Sequence, residues 1–193
     1  MENDRIKIKE IEILSDEWYT LKRGKFLYRL ENGEWQPQSR EAYDRGNGVA
    51  ILLYHSTKKT VILTRQFRFP TYINQHDTGM MIEVPAGMLE EEDPEACVIR
   101  EVEEETGYRI KKADKVFESY MSPGAVTEIL HFFTADYSQA EKIHPGGGHP
   151  EETENIEVLE VEAETAIQWV ESGKIRDAKT IMLLQYGRLK NLI

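Results

Sequence analysis

Between Arg5 and Leu30 apolar and polar positions alternate weakly: Ile6 and Ile8, then Ile11 and Ile13, Tyr19 and Leu21, and Phe26, Tyr28 and Leu30. This period of two predicts strands, with a break at Arg23-Gly24. Asn32-Gly33 is a hairpin signal. Gly46-Asn47-Gly48 is a second turn signal, and it separates a small antiparallel β part, residues 1–45, from a main domain, residues 46–193. In the main domain residues 49–54 and 60–64 are unbroken apolar runs of the kind buried on both faces of a sheet. Further strands are expected at 80–84, 115–121, 129–135 and 156–161, with 69–78 as a loop. Helices are expected at 94–106, 163–172 and 178–189, so the class is α/β with a mixed sheet.

The helix at 94–106 has the clearest signals. Asp93-Pro94 reads as a cap followed by proline in the first turn, and Gly107 supplies the stop. At about 100° per residue, Glu101, Glu104 and Glu105 share one face, while Ile99, Val102 and Thr106, with Ala96 at the edge, point the other way. The expectation is one buried face and one that presents three carboxylates.

Charge sharpens this picture. Between Leu89 and Glu105 there are nine carboxylates (Glu90, Glu91, Glu92, Asp93, Glu95, Glu101, Glu103, Glu104, Glu105) against one base, Arg100, in a chain of 193 residues with a formal net charge of -11. Like charges three and four residues apart destabilise a bare helix. A divalent cation reverses that sign, and carboxylate oxygens are the ligands that Mg²⁺ and Mn²⁺ prefer.

Composition is that of a globular protein, 40% hydrophobic and 31% charged. The net negative charge disfavours non-specific binding to nucleic acid or to anionic membranes. No apolar stretch is long enough to span a bilayer, and the first residues lack the apolar core of a secretory signal, so a cytoplasmic protein is expected. The single Cys97 excludes an intrachain disulfide and reads as a packing residue.

Other candidates are scattered. Arg65 and Arg68, near a strand end, have the planar forks that bind phosphate, and equally suit salt bridges at a sheet edge. Lys174, Arg176 and Lys179 bring three bases near a helix start, where backbone amides also favour anions, and Lys179 is the candidate contact. Glu128 is a candidate substrate contact beside the turn Ser122-Pro123-Gly124. His131 reads as a buried core histidine. Gly146-Gly147-Gly148 is no P-loop, since no Gly-Lys-Ser/Thr follows, and His144 with His149 makes at most an incomplete metal site.

The run Arg100-Glu101-Val102-Glu103-Glu104-Glu105-Thr106-Gly107-Tyr108 resembles the second half of the Nudix box, G-x5-E-x7-R-E-U-x-E-E-x-G-U, at every specified position. Glu92 falls on the isolated glutamate. Gly87 lies one residue too close to it, so either Ala86 takes the first position by count or Gly87 keeps that role with a shortened loop; the second is favoured. The order of elements is similar to the ADP-ribose and GDP-mannose pyrophosphatase branch of the Nudix superfamily. The stretches Tyr43-Asp44-Arg45-Gly46-Asn47-Gly48, Arg65-Gln66-Phe67-Arg68, Tyr120-Met121-Ser122-Pro123-Gly124, Gly146-Gly147-Gly148 and Ile175-Arg176-Asp177 look most like its GDP-mannose-cleaving members.

That resemblance implies an α/β/α sandwich with a mixed sheet and Mg²⁺-dependent hydrolysis of a nucleoside diphosphate sugar, with Mn²⁺ as an alternative metal. GDP-mannose, giving GMP and mannose 1-phosphate, is the first expectation. ADP-ribose is the alternative, and a nucleotide-binding module without catalysis is the remote one. It implies metal ligation by Glu101, Glu104, Glu105 and the Ala86 carbonyl, with Gly87 beside it. Glu154 or Glu152, on the loop outside the box, would complete the metal site or activate water. Arg68 would clamp phosphate. It further implies a homodimer in which Trp18 and Ser39-Arg40-Glu41 complete the partner's nucleotide site.

Overall fold

The glycine in Arg23-Gly24 does not break its strand. In this computed structural model, which describes residues 4–148 and 155–193, Gly24 lies inside β2 (Thr20–Arg29), opposite Ile11 of β1 (Ile6–Asp16) on one side and Arg40 of β3 (Trp35–Asp44) on the other. The turn comes earlier, at residues 17–19. Glycine is tolerated mid-strand here because no neighbour has to fill the space over it. The three strands form an antiparallel meander, β1-β2-β3. A register shift between Ile8 and Glu10 adds one residue to β1, and so returns Ile11 and Ile13 to the phase of Ile6 and Ile8. Residues 120–129 belong to the same compact unit, with Tyr43 N–H donating to Ala125 O and Thr127 N–H to Tyr43 O.

The second unit comprises residues 48–119 and 130–193. Its strands are β4 (Asn47–Tyr54), β5 (Thr60–Phe67), β6 (Met80–Glu83), β7 (Ala86–Leu89), β8 (Tyr108–Arg109), β9 (Asp114–Tyr120), β10 (Ile129–Asp136), β11 (Glu141–Lys142) and β12 (Glu157–Glu162). Its helices are α1 (Phe69–Ile73), α2 (Pro94–Thr106), α3 (Ala163–Glu171) and α4 (Ala178–Leu189). The main sheet runs β12-β5-β4-β10-β9, with β6 beside β5 and β7 beside β4, while β8 and β11 pair separately. β10 is parallel to β4, and β5 is antiparallel to β4, β6 and β12, so the sheet is mixed.

Alternation along β4 explains the layers. Val49, Ile51 and Leu53 join Cys97, Val98 and Val102 of α2 in one core, together with Phe133 and Ala135 of β10. On the other face α4 comes so close that a methyl on Gly187 would lie 2.7 Å from Leu52 Cδ2, and Phe117 packs against both Phe132 and Tyr186. Strands buried on both faces read as continuous apolar runs, as residues 49–54 do. Each fully buried side chain contributes about 1.5–3 kcal/mol. Helices on both faces make this unit the expected α/β/α sandwich. The expected loop 69–78 contains the single-turn α1, and β7, β8 and β11 were not expected.

Candidate active site

Helix α2 forms where its caps place it. The Asp93 carboxylate accepts from Glu95 N–H at 2.9 Å and Ala96 N–H at 3.3 Å, and Gly107 ends the helix in the left-handed region at φ 77°. Beyond its apolar face, a second stripe is also covered. Cys97, Glu101 and Glu105 recur every four residues, and β7 runs along them in the opposite direction. The Cys97 thiol donates to Met88 O at 3.3 Å, Gly87 lies against Glu101, and Ala86 N–H donates to Glu105 Oε2 at 3.2 Å. The acid face is therefore not uniformly exposed. Glu105 is 1% exposed and Cys97 is buried, whereas Ile99 is only partly buried and Ala96 is exposed. The helical wheel could not show this, because the covering strand is four residues long and carries no pattern of its own.

Gly87 is required at that crossing. A Cβ there would stand 2.0 Å from Glu101 Cδ and 2.2 Å from its Oε1, so the carboxylate occupies the space that any other residue would fill.

Arg100 gathers the remaining acids. Its Nη1 donates to Glu104 Oε2 at 2.7 Å and lies 3.0 Å from Glu101 Oε1, while Nη2 donates to Glu92 Oε1 at 2.7 Å. The hydrogen bond from Arg100 holds the Glu92 carboxyl below the usual carboxylate range. Burial, reinforced by Glu92, pushes the Cys97 thiol up to about 12, which removes it as a nucleophile.

A second ionic cluster lies at the ends of β5, β6 and α4. Arg68 Nε and Nη2 donate to the two oxygens of Glu83 at 2.8 and 3.0 Å, and Lys179 Nζ donates to Glu83 Oε2 and, at 3.0 Å, to Asp177 Oδ1. Burial opposes charge on Glu83, but Lys179 and Arg68 outweigh it and hold its carboxyl well below the ordinary range. Lys179 is raised, because Glu83 and Asp177 outweigh its burial. Glu83 was missed at the level of sequence. Its only signal is one carboxylate inside the apolar run Met80-Met81-Ile82-Glu83-Val84.

The glycine loop caps α2. Gly147 N–H donates to Glu105 O at 2.9 Å and Gly148 N–H to Glu104 O at 3.2 Å, and Ile156 N–H returns to Gly147 O. Glu152, Glu154 and His149 lie outside the described residues. On either side of them, Gly147 and Gly148 are bonded to the last turn of α2 and Ile156 is bonded to Gly147. His144 uses Nδ1 to accept from Gly146 N–H.

The remaining candidates are dispersed. Arg65 pairs with Glu157 across to β12, and His131 Nδ1 lies 3.3 Å from Glu118. In the N-terminal unit Glu128 faces Arg45 Nε at 3.6 Å, Glu41 pairs with Arg23, and Arg40 donates to Ser39 O. Trp18 is 82% exposed and meets Tyr19 edge to face, and Ser39 lines an open hollow with Lys25 and Pro37.

The oxygen donors around α2 fit a hard divalent cation. Glu101 and Glu105 are one turn apart, and the Ala86–Gly87 backbone lies directly over them. Among the described residues no three His, Cys, Asp or Glu side chains converge into a cage. A small divalent cation does not require one, since it is commonly held by one or two carboxylates together with waters and substrate phosphates.

Residues 44–183 match the NUDIX domain, and residues 5–43 match the GDP-mannose pyrophosphatase NudK N-terminal domain. The chain belongs to the Nudix family, whose members generally use divalent metal ions. Over nearly its whole length it is similar to proteins named GDP-mannose pyrophosphatase. The Salmonella arizonae protein is 47% identical over 191 residues, 99% of each chain. That of Salmonella typhimurium is 50% identical over 182 residues, 94% of each. That of Pectobacterium atrosepticum is 49% identical over 185 residues, 96% of this chain and 95% of the relative. Among the described residues no helix is long and apolar enough to cross a membrane.

Proposed function

We propose that this Nudix chain hydrolyses the diphosphate bond of a nucleoside diphosphate sugar, GDP-mannose, to GMP and mannose 1-phosphate. The observation that carries the reading is the stripe on α2 where Glu101 and Glu105 lie directly beneath Gly87 and Ala86. The names of its full-length relatives support the substrate. A module that only bound nucleotide would have no need of Glu92, Arg100, Glu101, Glu104 and Glu105 together.

Glu101, Glu105 and the Ala86 carbonyl hold Mg²⁺, or Mn²⁺ in its place, with Glu104 beside them. The ion, when bound, neutralises diphosphate charge and acidifies water. Arg100 restrains Glu101 and Glu104. Arg68 and Lys179 direct N–H donors at phosphate oxygens. Glu154, or Glu152, accepts a proton from the attacking water as the phosphorus–oxygen bond of the anhydride breaks and the departing phosphate takes up its electron pair. Glu128, Trp18, Ser39, Arg40 and Glu41 contact the nucleotide, the last four across a homodimer. The protein works in the cytoplasm.

The test is Mg²⁺-dependent hydrolysis of GDP-mannose beside ADP-ribose at equal concentration, with the nucleotide products separated. Faster release of GMP is the expected result. Faster release of AMP with ribose 5-phosphate moves the enzyme to the sister activity, and no turnover of either sinks the hydrolase reading.

A further inference from the structure

We infer that Glu83 is a positioning residue for this reaction: its buried carboxylate holds Arg68 and Lys179 side by side as one cationic cradle for the substrate diphosphate, a role that rests on the hydrolase reading above.

Three elements remote in sequence bring these groups together. Glu83 ends β6 with its side chain 4% exposed, Arg68 follows β5, and Lys179 lies in the first turn of α4. Glu83 Oε1 accepts from Arg68 Nε, and Oε2 accepts from both Arg68 Nη2 and Lys179 Nζ. One oxygen thus sets the distance between the two cations. A guanidinium has five N–H donors and an ammonium three. Among the described residues two of each are directed at carboxylates, which leaves three guanidinium donors and one ammonium donor for phosphate oxygens in this proposal.

The backbone that carries the carboxylate is itself fixed. Thr64 Oγ1 donates to Glu83 O, and Val84 N–H donates to Thr180 Oγ1, which in turn donates to Asp177 Oδ2 at the start of α4. Pro85 O accepts from Ile51 N–H, and Ala86 N–H reaches Glu105. A run of four tethered residues, Glu83 to Ala86, therefore joins the cation pair to the α2 carboxylates.

Stability alone does not call for this arrangement. A buried ion cluster is often replaced by apolar residues of similar volume without loss, whereas removal of one partner is severe. Two cations this close need an anion between them, and Glu83 supplies it without touching the substrate.

Glu83→Gln keeps the shape and removes the charge. It is expected to raise KM for GDP-mannose about 10-fold or more while kcat falls less than about threefold, with an unchanged Mg²⁺ concentration at half-maximal rate. A purely structural role would lower the melting temperature and leave KM of the folded protein unaltered, and that result overturns the inference. If Glu83→Gln does not fold, Glu83→Asp keeps the charge one methylene too short to reach both cations; its KM is expected to rise about threefold or more, and an unchanged KM overturns the role. Absence of GDP-mannose turnover by the unaltered protein sinks the hydrolase reading separately. Calorimetric binding of inorganic pyrophosphate then decides the role of Glu83: binding about 10-fold weaker in Glu83→Gln is expected, and equal affinity overturns it.

Discussion

The backbone of Gly87 lies against the carboxylate of Glu101 so closely that a methyl on Gly87 would stand 2.0 Å from Glu101 Cδ. The group that must yield is the end of a flexible side chain, so Gly87→Ala should fold. Glu101, however, must leave its place over α2. Turnover is expected to fall on the order of 100-fold, since a misplacement of about 1 Å at a reacting centre costs that much, while the melting temperature changes little. A Gly87→Ala protein of near-normal kcat would remove Glu101 from the reaction.

Glu101→Gln and Glu105→Gln should each cost on the order of 100- to 1000-fold in kcat. The Glu105 variant should stay folded, because the amide oxygen still accepts from Ala86 N–H. If the two carboxylates act on one ion, the double variant will be little worse than either single one. Chelation should abolish turnover and added Mg²⁺ restore it, with circular dichroism unchanged throughout. Additive losses in the double variant would argue for separate roles.

The glycine loop bonds Gly147 and Gly148 to the last turn of α2, and Ile156 N–H returns to Gly147 O. Glu154→Gln is accordingly expected to lower kcat about 100-fold or more, the range for loss of a general base, with little change in KM. An unaffected rate transfers the role to Glu152→Gln as the next measurement.

Glu83 also predicts a pH dependence of stability. Lys179 and Arg68 overcome the effect of burial and hold its carboxyl at about 2, against about 4.3 in an unfolded chain. Between these values the unfolded state binds more protons than the native one, so stability rises with pH. The contribution is complete above about pH 5 and is lost as pH falls toward 2, by up to about 3 kcal/mol. Urea melts should therefore show a gap between the natural chain and Glu83→Gln that is widest near neutrality and shrinks in acid. A gap that does not vary with pH would contradict the charge pairing.

The features legible in the sequence were those written in local chemistry. The Asp93 cap and Gly107 stop bounded α2 at its observed ends, and the apolar run 49–54 announced a strand buried on both faces. Features made by distant elements were not legible. Nothing in the spacing of Glu105 reveals that Ala86 covers it, and nothing local joins Glu83 to Lys179, 96 residues away. Gly24 misled because glycine signals a turn only where the backbone needs its freedom, and in β2 it does not. The Gly146–Gly148 run was legible as something other than a phosphate loop, but its use as a cap on α2 needs the tertiary contact.

That cap provides the last test. Gly146 has φ 80°, and a Cβ on it would lie 2.5 Å from Glu105 O and 2.7 Å from Thr106 C. These are backbone atoms at the end of a helix, so they cannot turn aside as the Glu101 side chain can. Gly146→Ala must either strain the loop or release it from α2, at a cost of about 1–3 kcal/mol. Releasing it also frees the carbonyls of Glu104 and Glu105 and loosens the anchor of residues 149–154, so kcat should fall even at temperatures where the domain remains folded. Gly124→Ala is the comparison, because nothing lies within 4 Å of the added methyl; its stability should stay within about 0.5 kcal/mol of the natural chain. Urea melts and kcat measured on the same three proteins decide the matter. If Gly146→Ala matched Gly124→Ala in both, the glycine run would be a passive connection and its bonds to the end of α2 would play no part in turnover.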